Sequence, residues 1–397
     1  MTTTIEDIDP GLALLSGPAA GDLIAAVLAP AGGEPVSWTV AQIDHQPQRR
    51  TTVSYAAVVR WADGTETEET LGACSGELPD GVTRLSDGET TIGMWRFPFD
   101  PDLPGLPAAC DPDRMGRLVT TLGLDGDRAV LRVRTYRPRR RAVVEVSTPT
   151  GTVFVKVLRG DKAERLHEVH RIAAASGCPT PAPLGWTDTG LLVLAGLPGR
   201  TLRELLLAGE SVPLEVDDVV RLLDSLPAAL ATGEVRRTWG QKAPHYAEVI
   251  AATVPALARR ARAVAAVVDH VEPEGPAVPV HGDFYEAQLM VADGRVTGLL
   301  DIDTAGRGER LDDVACLLAH LGVLAQIHPE VGAQMDRLAS RLHRRFVRDL
   351  DRAALGRRTA AVVLSLATGP FRVREVGWQY ATGRRISLAE QWLDQTH

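Results

Sequence analysis

Lysine is nearly absent. Of the 43 basic residues only three, Lys156, Lys162 and Lys242, are lysines. With abundant Ala and Gly this is the mark of a GC-rich genome, in which Arg replaces Lys wherever either serves. A Lys that persists is then a candidate for a role that needs a compact point charge rather than a planar fork. Cysteine is as sparse: Cys74, Cys110, Cys178 and Cys316 stand far apart and form no CxxC pair. That speaks against a zinc knuckle and makes reduced cytosolic thiols the expectation. No run of about 18 apolar residues occurs. The acidic opening MTTTIEDIDPG has neither a basic n-region nor an apolar h-region, so neither signal peptide nor membrane partner is expected, and the chain is placed in the cytoplasm. Positive charge is also in deficit: the formal net charge is −8, which gives nucleic acid no global electrostatic support. Neither a GxGxxG loop nor a GxxxxGK[ST] P-loop is present, so a P-loop reading has no support.

What is there is an ordinary globular composition, 45% hydrophobic and 24% charged over 397 residues, enough for two or three domains with real cores. Residues 18–29 read as a short helix, with Pro18 in its first turn and Leu23, Ile24, Val27 and Leu28 on one face. Residues 36–74 turn β-branched and aromatic, with ADG at 62–64 as a hairpin turn. The Pro-dense stretch 94–112 reads as a linker or a clamp on the next domain. A second β-rich block spans 128–158, followed by a helix over 164–177 that ends at Gly177 and a short apolar strand within 190–200. Beyond 200 the pattern is helical, at 201–208, 214–231, 244–270, 312–326, 330–350, 352–368 and 384–394. The one clear β signal there is LMVADGRVTGLLDID. The expected layout is an α/β cap over 1–112, a small β-rich lobe over 113–200 and a mostly helical lobe over 201–397. A monomer is expected.

The stretch HGDFYEAQLMVADGRVTGLLDID, at 281–303, sets acidic and amide groups at both outer ends of a hairpin. Asp283 and Gln288 precede the first strand; Asp301 and Asp303 follow the second. Folding the hairpin brings those ends together as a cluster of oxygen ligands, which suits a hard cation such as Mg²⁺ and leaves Asp283 to accept a proton. His281 reads as a residue that orders the loop by hydrogen bonding.

HGD, an amide five residues after the Asp, a β-turn-β, LLDID and then GERLDDVA together resemble the aminoglycoside phosphotransferase-like kinases, small-molecule relatives of the protein kinases. The resemblance covers about residues 128–320. It implies an α+β, bilobal, protein-kinase-like fold, with ATP as co-substrate and Mg²⁺ as cofactor. It also implies Asp283 as catalytic base, Gln288 and Asp301 as metal ligands, and Asp303 as a further ligand or acceptor for metal-bound water. Gln288 stands where the family pattern has Asn. Asp313 falls at the family's structural aspartate before Leu-Ala. In the small lobe Lys156, in VFVKV, falls at the strand lysine that pairs with ATP phosphates and with a helix glutamate, here Glu168 or Glu164, of which Glu168 lies deeper in the helix. LLVLAGLPGR resembles the hinge, where the backbone around Ala195–Leu197 would meet adenine. In place of a glycine loop stands YRPRRRAV, where Arg139, Arg140 or Arg141 is the candidate phosphate contact; a solvated basic turn is the competing reading.

The acceptor would be shaped by FYEAQLM, DIDTAGRGERLDD and FRVREVGWQYATG. Glu286, Asp312 and Glu375 are candidates to meet an ammonium, and Trp378 to stack on a pyranose ring. Asp312 also reads as a helix N-terminal charge, and Trp378 and Glu375 equally as a core residue and a solvated helix charge. The N-terminal cap together with HGD followed by Gln resembles the maltokinase branch of the family. HGDFYEAQ with DIDTAGRG resembles the glucosamine kinases of actinobacteria. The resemblance thus implies ATP-dependent phosphorylation of an amino sugar, glucosamine giving glucosamine 6-phosphate. A maltokinase, an aminoglycoside phosphotransferase and a non-catalytic nucleotide-binding pseudokinase are the alternatives.

Overall fold

The computed structural model describes residues 9–46, 49–86, 90–210, 214–269 and 274–394. The opening residues 1–8 and the last position of the expected 244–270 helix lie outside the described residues. The chain divides into two compact units. One gathers Met1–Glu164, Leu184–Leu194 and Pro370–Trp378; the other gathers Arg165–Pro183, Ala195–Gly369 and Gln379–His397.

The first unit starts with two helices, α1 (Pro10–Ser16) and α2 (Ala20–Leu28). The Asp9 carboxylate caps α1 by accepting from Leu12 N–H at 2.9 Å. Strands β1 (Gly33–Gln46), β2 (Arg50–Trp61), β3 (Glu66–Gly76), β4 (Thr83–Ser86) and β5 (Thr91–Arg96) form an antiparallel sheet in the order β1-β2-β3-β5-β4. Helix α1 was not foreseen; its PGLALLS offers less than two turns of periodicity. The expected turn at 62–64 is present, with Gly64 at φ 84° and Asp63 Oδ1 accepting from Thr65 N–H at 2.9 Å. The core of this layer is Leu15, Ile24, Leu28, Val53, Tyr55 and Val59, with Phe371 inserted from far along the chain.

The Pro-dense stretch then carries α3 (Leu106–Ala109) and leads to α4 (Pro112–Thr121). Strands β6 (Val130–Arg137), β7 (Arg141–Thr148) and β8 (Gly151–Val157) form antiparallel hairpins where the sequence placed them. With β9 (Pro183–Trp186) and β10 (Leu191–Ala195) they make a sheet ordered β6-β7-β8-β10-β9. Where the sequence suggested a boundary near 112, the structure joins the two sheets in one unit. The stretch acts as a clamp. Asp100 Oδ2 accepts from Tyr136 Oη–H at 2.7 Å and from Arg139 N–H at 2.8 Å. Asp102 Oδ2 accepts from Arg139 Nε–H at 2.8 Å.

Helix α5 (Lys162–Ala175) crosses from the first unit to the second. The second unit continues with β11 (Arg200–Thr201), α6 (Leu202–Leu207), α7 (Val216–Asp224), α8 (Trp239–Thr253) and α9 (Ala258–Val268). There follow β12 (Ala277–Val280), β13 (Leu289–Ala292), β14 (Arg295–Leu299) and β15 (Gly306–Glu309). Helices α10 (Arg310–Ile327), α11 (Pro329–Phe346) and α12 (Arg352–Leu366), the short α13 (Gly369–Arg372) and α14 (Trp378–Asp394) complete it. The expected helix over 244–270 is two helices, because Pro255 interrupts it. The helix from 214 stops at Asp224, three residues before Pro227. The β13–β14 hairpin is as read: Asp293 and Gly294 both have positive φ, 50° and 73°, as a two-residue type I′ turn demands. Strands β12 and β15 were missed. AVPV contains a proline and GRGE two glycines, so neither carries a β pattern; they form by pairing with each other, Val280 opposite Gly306. Gly308 is needed there, since a Cβ would lie 2.8 Å from Val280 Cγ2. The helical core centres on α10 and α12, whose inward faces include Val314, Leu317, Leu318, Ala360 and Val363. Among the described residues no single helix is long and apolar enough to cross a membrane.

Candidate active site

In the second unit the site grows from two strand pairs. The β12–β15 pair delivers His281 at the end of β12 and starts α10 directly after β15, so the first turn of α10 lies beside the HGD loop. Asp313 on that turn is fully buried and accepts from His281 N–H at 2.8 Å and Gly282 N–H at 2.7 Å. Burial pushes its carboxyl up, and His281 with the two N–H groups opposes the shift. Gly282 has φ 81°, and a Cβ there would lie 2.7 Å from Arg236 Cζ, so both conformation and space require glycine.

His281, also fully buried, orders the loop. Its Nδ1 accepts from Asp283 N–H at 3.2 Å, so the proton is on Nε2, which donates to Leu300 O at 2.8 Å. Its own carbonyl accepts from Thr304 Oγ1–H at 2.9 Å, and Arg236 donates to Thr304 O. A neutral imidazole thereby ties Asp283 to the far end of the β13–β14 hairpin.

That hairpin closes as the sequence implied. Leu289 is opposite Leu299, and Leu300 N–H donates to Gln288 O at 2.8 Å, so Gln288 and Asp301 stand at adjoining chain ends. Gln288 is buried. Asp301 adopts φ 55°, ψ 47°, a left-handed conformation that non-glycine residues rarely take and that Asp tolerates best. Strain of this kind gathers at functional sites. Asp303, two residues on, places Oδ1 3.6 Å from Nε2 of the fully buried His170, whose Nδ1–H faces Pro181 O at 3.1 Å.

The other candidates are used differently. Glu286 is fully buried, and its Oε1 accepts from Arg203 Nε–H at 2.8 Å and Nη2–H at 2.6 Å. Its carboxyl is pushed up by burial and partly held down by Arg203. A side chain with no exposed surface and a guanidinium on it does not reach an external ammonium. Asp312 is buried too: Oδ1 accepts from Arg358 Nη1–H at 2.7 Å and Trp239 N–H at 3.2 Å, and Arg358 extends the network to Glu274 and Glu309. Glu375 and Trp378 belong to the first unit, not to the helical one. Trp378 packs edge-on against Phe371, ring centroids 5.0 Å apart, beside the core of the β1–β5 sheet. The core reading of Trp378 is the one the structure shows.

In the first unit Lys156 lies on β8 opposite Val143 of β7. Val153, Val155 and Val157 fill the core on one face of β8, so Lys156 shares the other face with Thr152 and Phe154. Lys156 is largely buried. Glu168 is exposed and forms a two-pronged pair with Arg171 at 2.7 and 2.6 Å on its own helix, which reads as a solvated i,i+3 pair. Of the arginines in the β6–β7 turn, Arg139 is buried in the Asp100–Asp102 clamp, and Arg140 lies 3.7 Å from Asp44 of β1. Arg139 is thus committed to the clamp, and Arg140 has Asp44 within ion-pair distance. The chain passes between units at Leu194/Ala195, at the segment whose sequence resembles a hinge; Ala195 N–H donates to Ala182 O at 2.9 Å.

A family model for the phosphotransferase enzyme family matches residues 137–356, just over half of the chain. The chain belongs to that family. The phosphotransferase has the aminoglycoside phosphotransferase-like kinase fold, here with an added antiparallel sheet at its N-terminal side. The crystal structure of aminoglycoside phosphotransferase APH(4)-Ia superposes with a TM-score of 0.51 at 16% identity, covering 70% of this chain and 98% of that one. A thermostable mutant of that enzyme, in ternary complex with ADP and hygromycin B, gives 0.49 at 17% identity, over 70% and 97% of the two chains. The macrolide 2′-phosphotransferase MphH of Brachybacterium faecium gives 0.39 at 21% identity, over 70% and 97%. Identities this low speak to fold alone. A comparison with curated proteins finds no match.

One feature of the site was not legible beforehand. Cys316 and His320 of α10 lie beside Asp283, and His320 stacks on Tyr285 with ring centroids 4.2 Å apart and planes 19° apart. Burial, with Arg203 and Arg385 nearby, pushes His320 down to about 3, so its imidazole is neutral. Their four-residue spacing is visible in the sequence, but only the fold shows what the shared helix face meets.

Proposed function

We propose that this phosphotransferase is an ATP-dependent sugar kinase acting on the 6-hydroxyl of glucosamine, with Asp283 as general base. The observation that carries the reading is the hold on Asp283. Its backbone N–H is fixed by His281, His281 is fixed by Asp313 and by Leu300, and Leu300 is fixed by Gln288. A base whose backbone is held in this way keeps its aim, which is what alignment of an attacking hydroxyl requires. Asp283 accepts the hydroxyl proton as the phosphoryl group arrives, and Lys156 is assigned to the nucleotide phosphates.

The donors at the hairpin end fit Mg²⁺: an amide oxygen at Gln288 and a carboxylate at Asp301, joined through the Gln288 O to Leu300 N–H bond, are the hard oxygen set that ion takes with few protein ligands. Gln288 and Asp301 would hold it, with Asp303 next in reach. When bound, it would neutralise charge on the phosphates.

The acceptor assignment rests on the resemblance of HGDFYEAQ and DIDTAGRG, since Glu286 and Asp312 are engaged within the fold. Its test is an ADP-release assay with Mg-ATP against glucosamine, glucose, maltose, N-acetylglucosamine and kanamycin. Turnover selective for glucosamine is expected. Selective turnover on maltose or kanamycin would keep the kinase and move the acceptor. Nucleotide binding with no turnover on any of them would favour a pseudokinase.

A further inference from the structure

Asp283, Cys316 and His320 each present one ligand atom, and these atoms lie within 4.8 Å of one another. We propose that the three form a binding site for a borderline-soft divalent cation such as Zn²⁺, and that filling it shuts the enzyme down by engaging Asp283. The shut-down half rests on Asp283 being the base; the binding half does not.

The donor set selects the ion. Mg²⁺ takes oxygen and rejects sulfur. A carboxylate, a thiolate and an imidazole are the ordinary ligands of Zn²⁺ and Co²⁺, at about 2.0–2.3 Å in tetrahedral sites. The three-ligand set leaves one position for water.

The scaffold suits it as well. Cys316 and His320 are four residues apart on α10, the spacing that sets two ligands on one helix face, as in helical zinc motifs. α10 is anchored at the loop by Asp313, which bonds His281 and Gly282 directly before Asp283. The loop and the helix therefore keep their register. Tyr285 stacks on His320, and Arg203 sits over the Tyr285 ring, 5.2 Å from its centroid. Cys316 is buried while Asp283 and His320 are partly exposed, which gives the ion a way in. Binding takes Cys316 as the thiolate, its proton passing to solvent. The carboxylate then donates to the ion and no longer accepts the proton of an incoming hydroxyl.

The test uses the full chain and Co²⁺ as a spectroscopic probe, followed by Zn²⁺ in the Mg-ATP assay. Wild-type protein should show a tetrahedral Co²⁺ spectrum with a thiolate charge-transfer band. The band should vanish in Cys316→Ala, and Co²⁺ affinity should fall about 100-fold in His320→Gln, since loss of a supporting group alone costs up to that much. Zn²⁺ should inhibit wild-type turnover and spare both variants, which keep turnover in Mg²⁺ alone. Absence of the band in wild-type protein, or unchanged Co²⁺ affinity in both variants, would overturn the site. Binding with turnover untouched by Zn²⁺ would overturn the shut-down. A wild-type band with no kinase activity on any acceptor would sink the sugar-kinase reading while upholding the metal site.

Discussion

The β6–β7 turn and the HGD loop both looked like places where a phosphate or an acceptor is handled, and they are built in opposite ways. The turn is crowded with arginines, yet its central residue, Arg139, is committed to Asp100 and Asp102, and Arg140 faces Asp44. The HGD loop is held through backbone N–H groups, two of them taken by the buried Asp313 carboxylate and one by the His281 ring, around the Asp283 side chain. In the first region charge is the mortar. In the second, backbone N–H groups are the mortar, taken up by one carboxylate and one imidazole. An arginine is therefore no mark of a phosphate site where a carboxylate of the same fold already holds it.

The strongest way to break this contrast is at Asp283. Asp283→Asn should lower turnover about 10³-fold while nucleotide affinity, read by calorimetry, stays near wild type. Near-normal turnover would put the HGD loop in the same structural class as the turn. Next comes the mortar itself. Arg139→Ala takes the Nε–H donor from Asp102, which keeps Arg159 at 3.3 Å, and should cost about 2 kcal/mol in denaturant unfolding. Arg139 has φ 61°, so Arg139→Gly should cost about 1 kcal/mol less than Arg139→Ala. Equal costs would mean that the backbone there is unstrained.

A carboxylate outside both regions calibrates what a charge-built lock contributes. Asp218 is held by two N–H bonds from Arg295, at 2.6 and 2.8 Å, and by Arg221. Its carboxyl is drawn down to about 2, chiefly by Arg295. The unfolded chain therefore binds the proton more tightly than the folded one. The stabilisation is complete above the usual value near 3.8 and is lost as pH falls toward about 2. Between pH 5 and 3 the wild type should lose about 1 kcal/mol more than Asp218→Asn in parallel melts. The smallest effect is expected at Arg140. Arg140→Ala should change the KM for ATP by less than about twofold; a larger rise would return that arginine to the phosphates.

Much of this was legible in the sequence, and what failed has a common cause. The β6–β8 hairpins, the ADG turns and the helices after 310 follow from local patterns, alternation and φ-permissive turn residues. So did the closing of the hairpin that sets Gln288 and Asp301 at adjoining chain ends, because a two-residue turn fixes register. Strands β12 and β15 were invisible because each exists only as the other's partner. Glu286 and Asp312 were read as acceptor contacts because their types suited an ammonium. Arg203 lies 83 residues before Glu286 and Arg358 lies 46 after Asp312; no window on the chain holds both members of either pair. Cys316 and His320 were missed for the same reason: their common partner, Asp283, is on a different segment.

Phe371 sits in the core of the β1–β5 sheet although more than two hundred residues separate it from β5. The backbone changes units at five places, after Glu164, Pro183, Leu194, Gly369 and Trp378. The two units are therefore interleaved along the sequence. A single cut near 112 or 200 releases neither unit whole, and removing the last thirty or so residues takes a wedge out of the sheet at the opposite end of the sequence. Such a protein cannot be shortened by proteolysis, or recombined as cassettes, one lobe at a time.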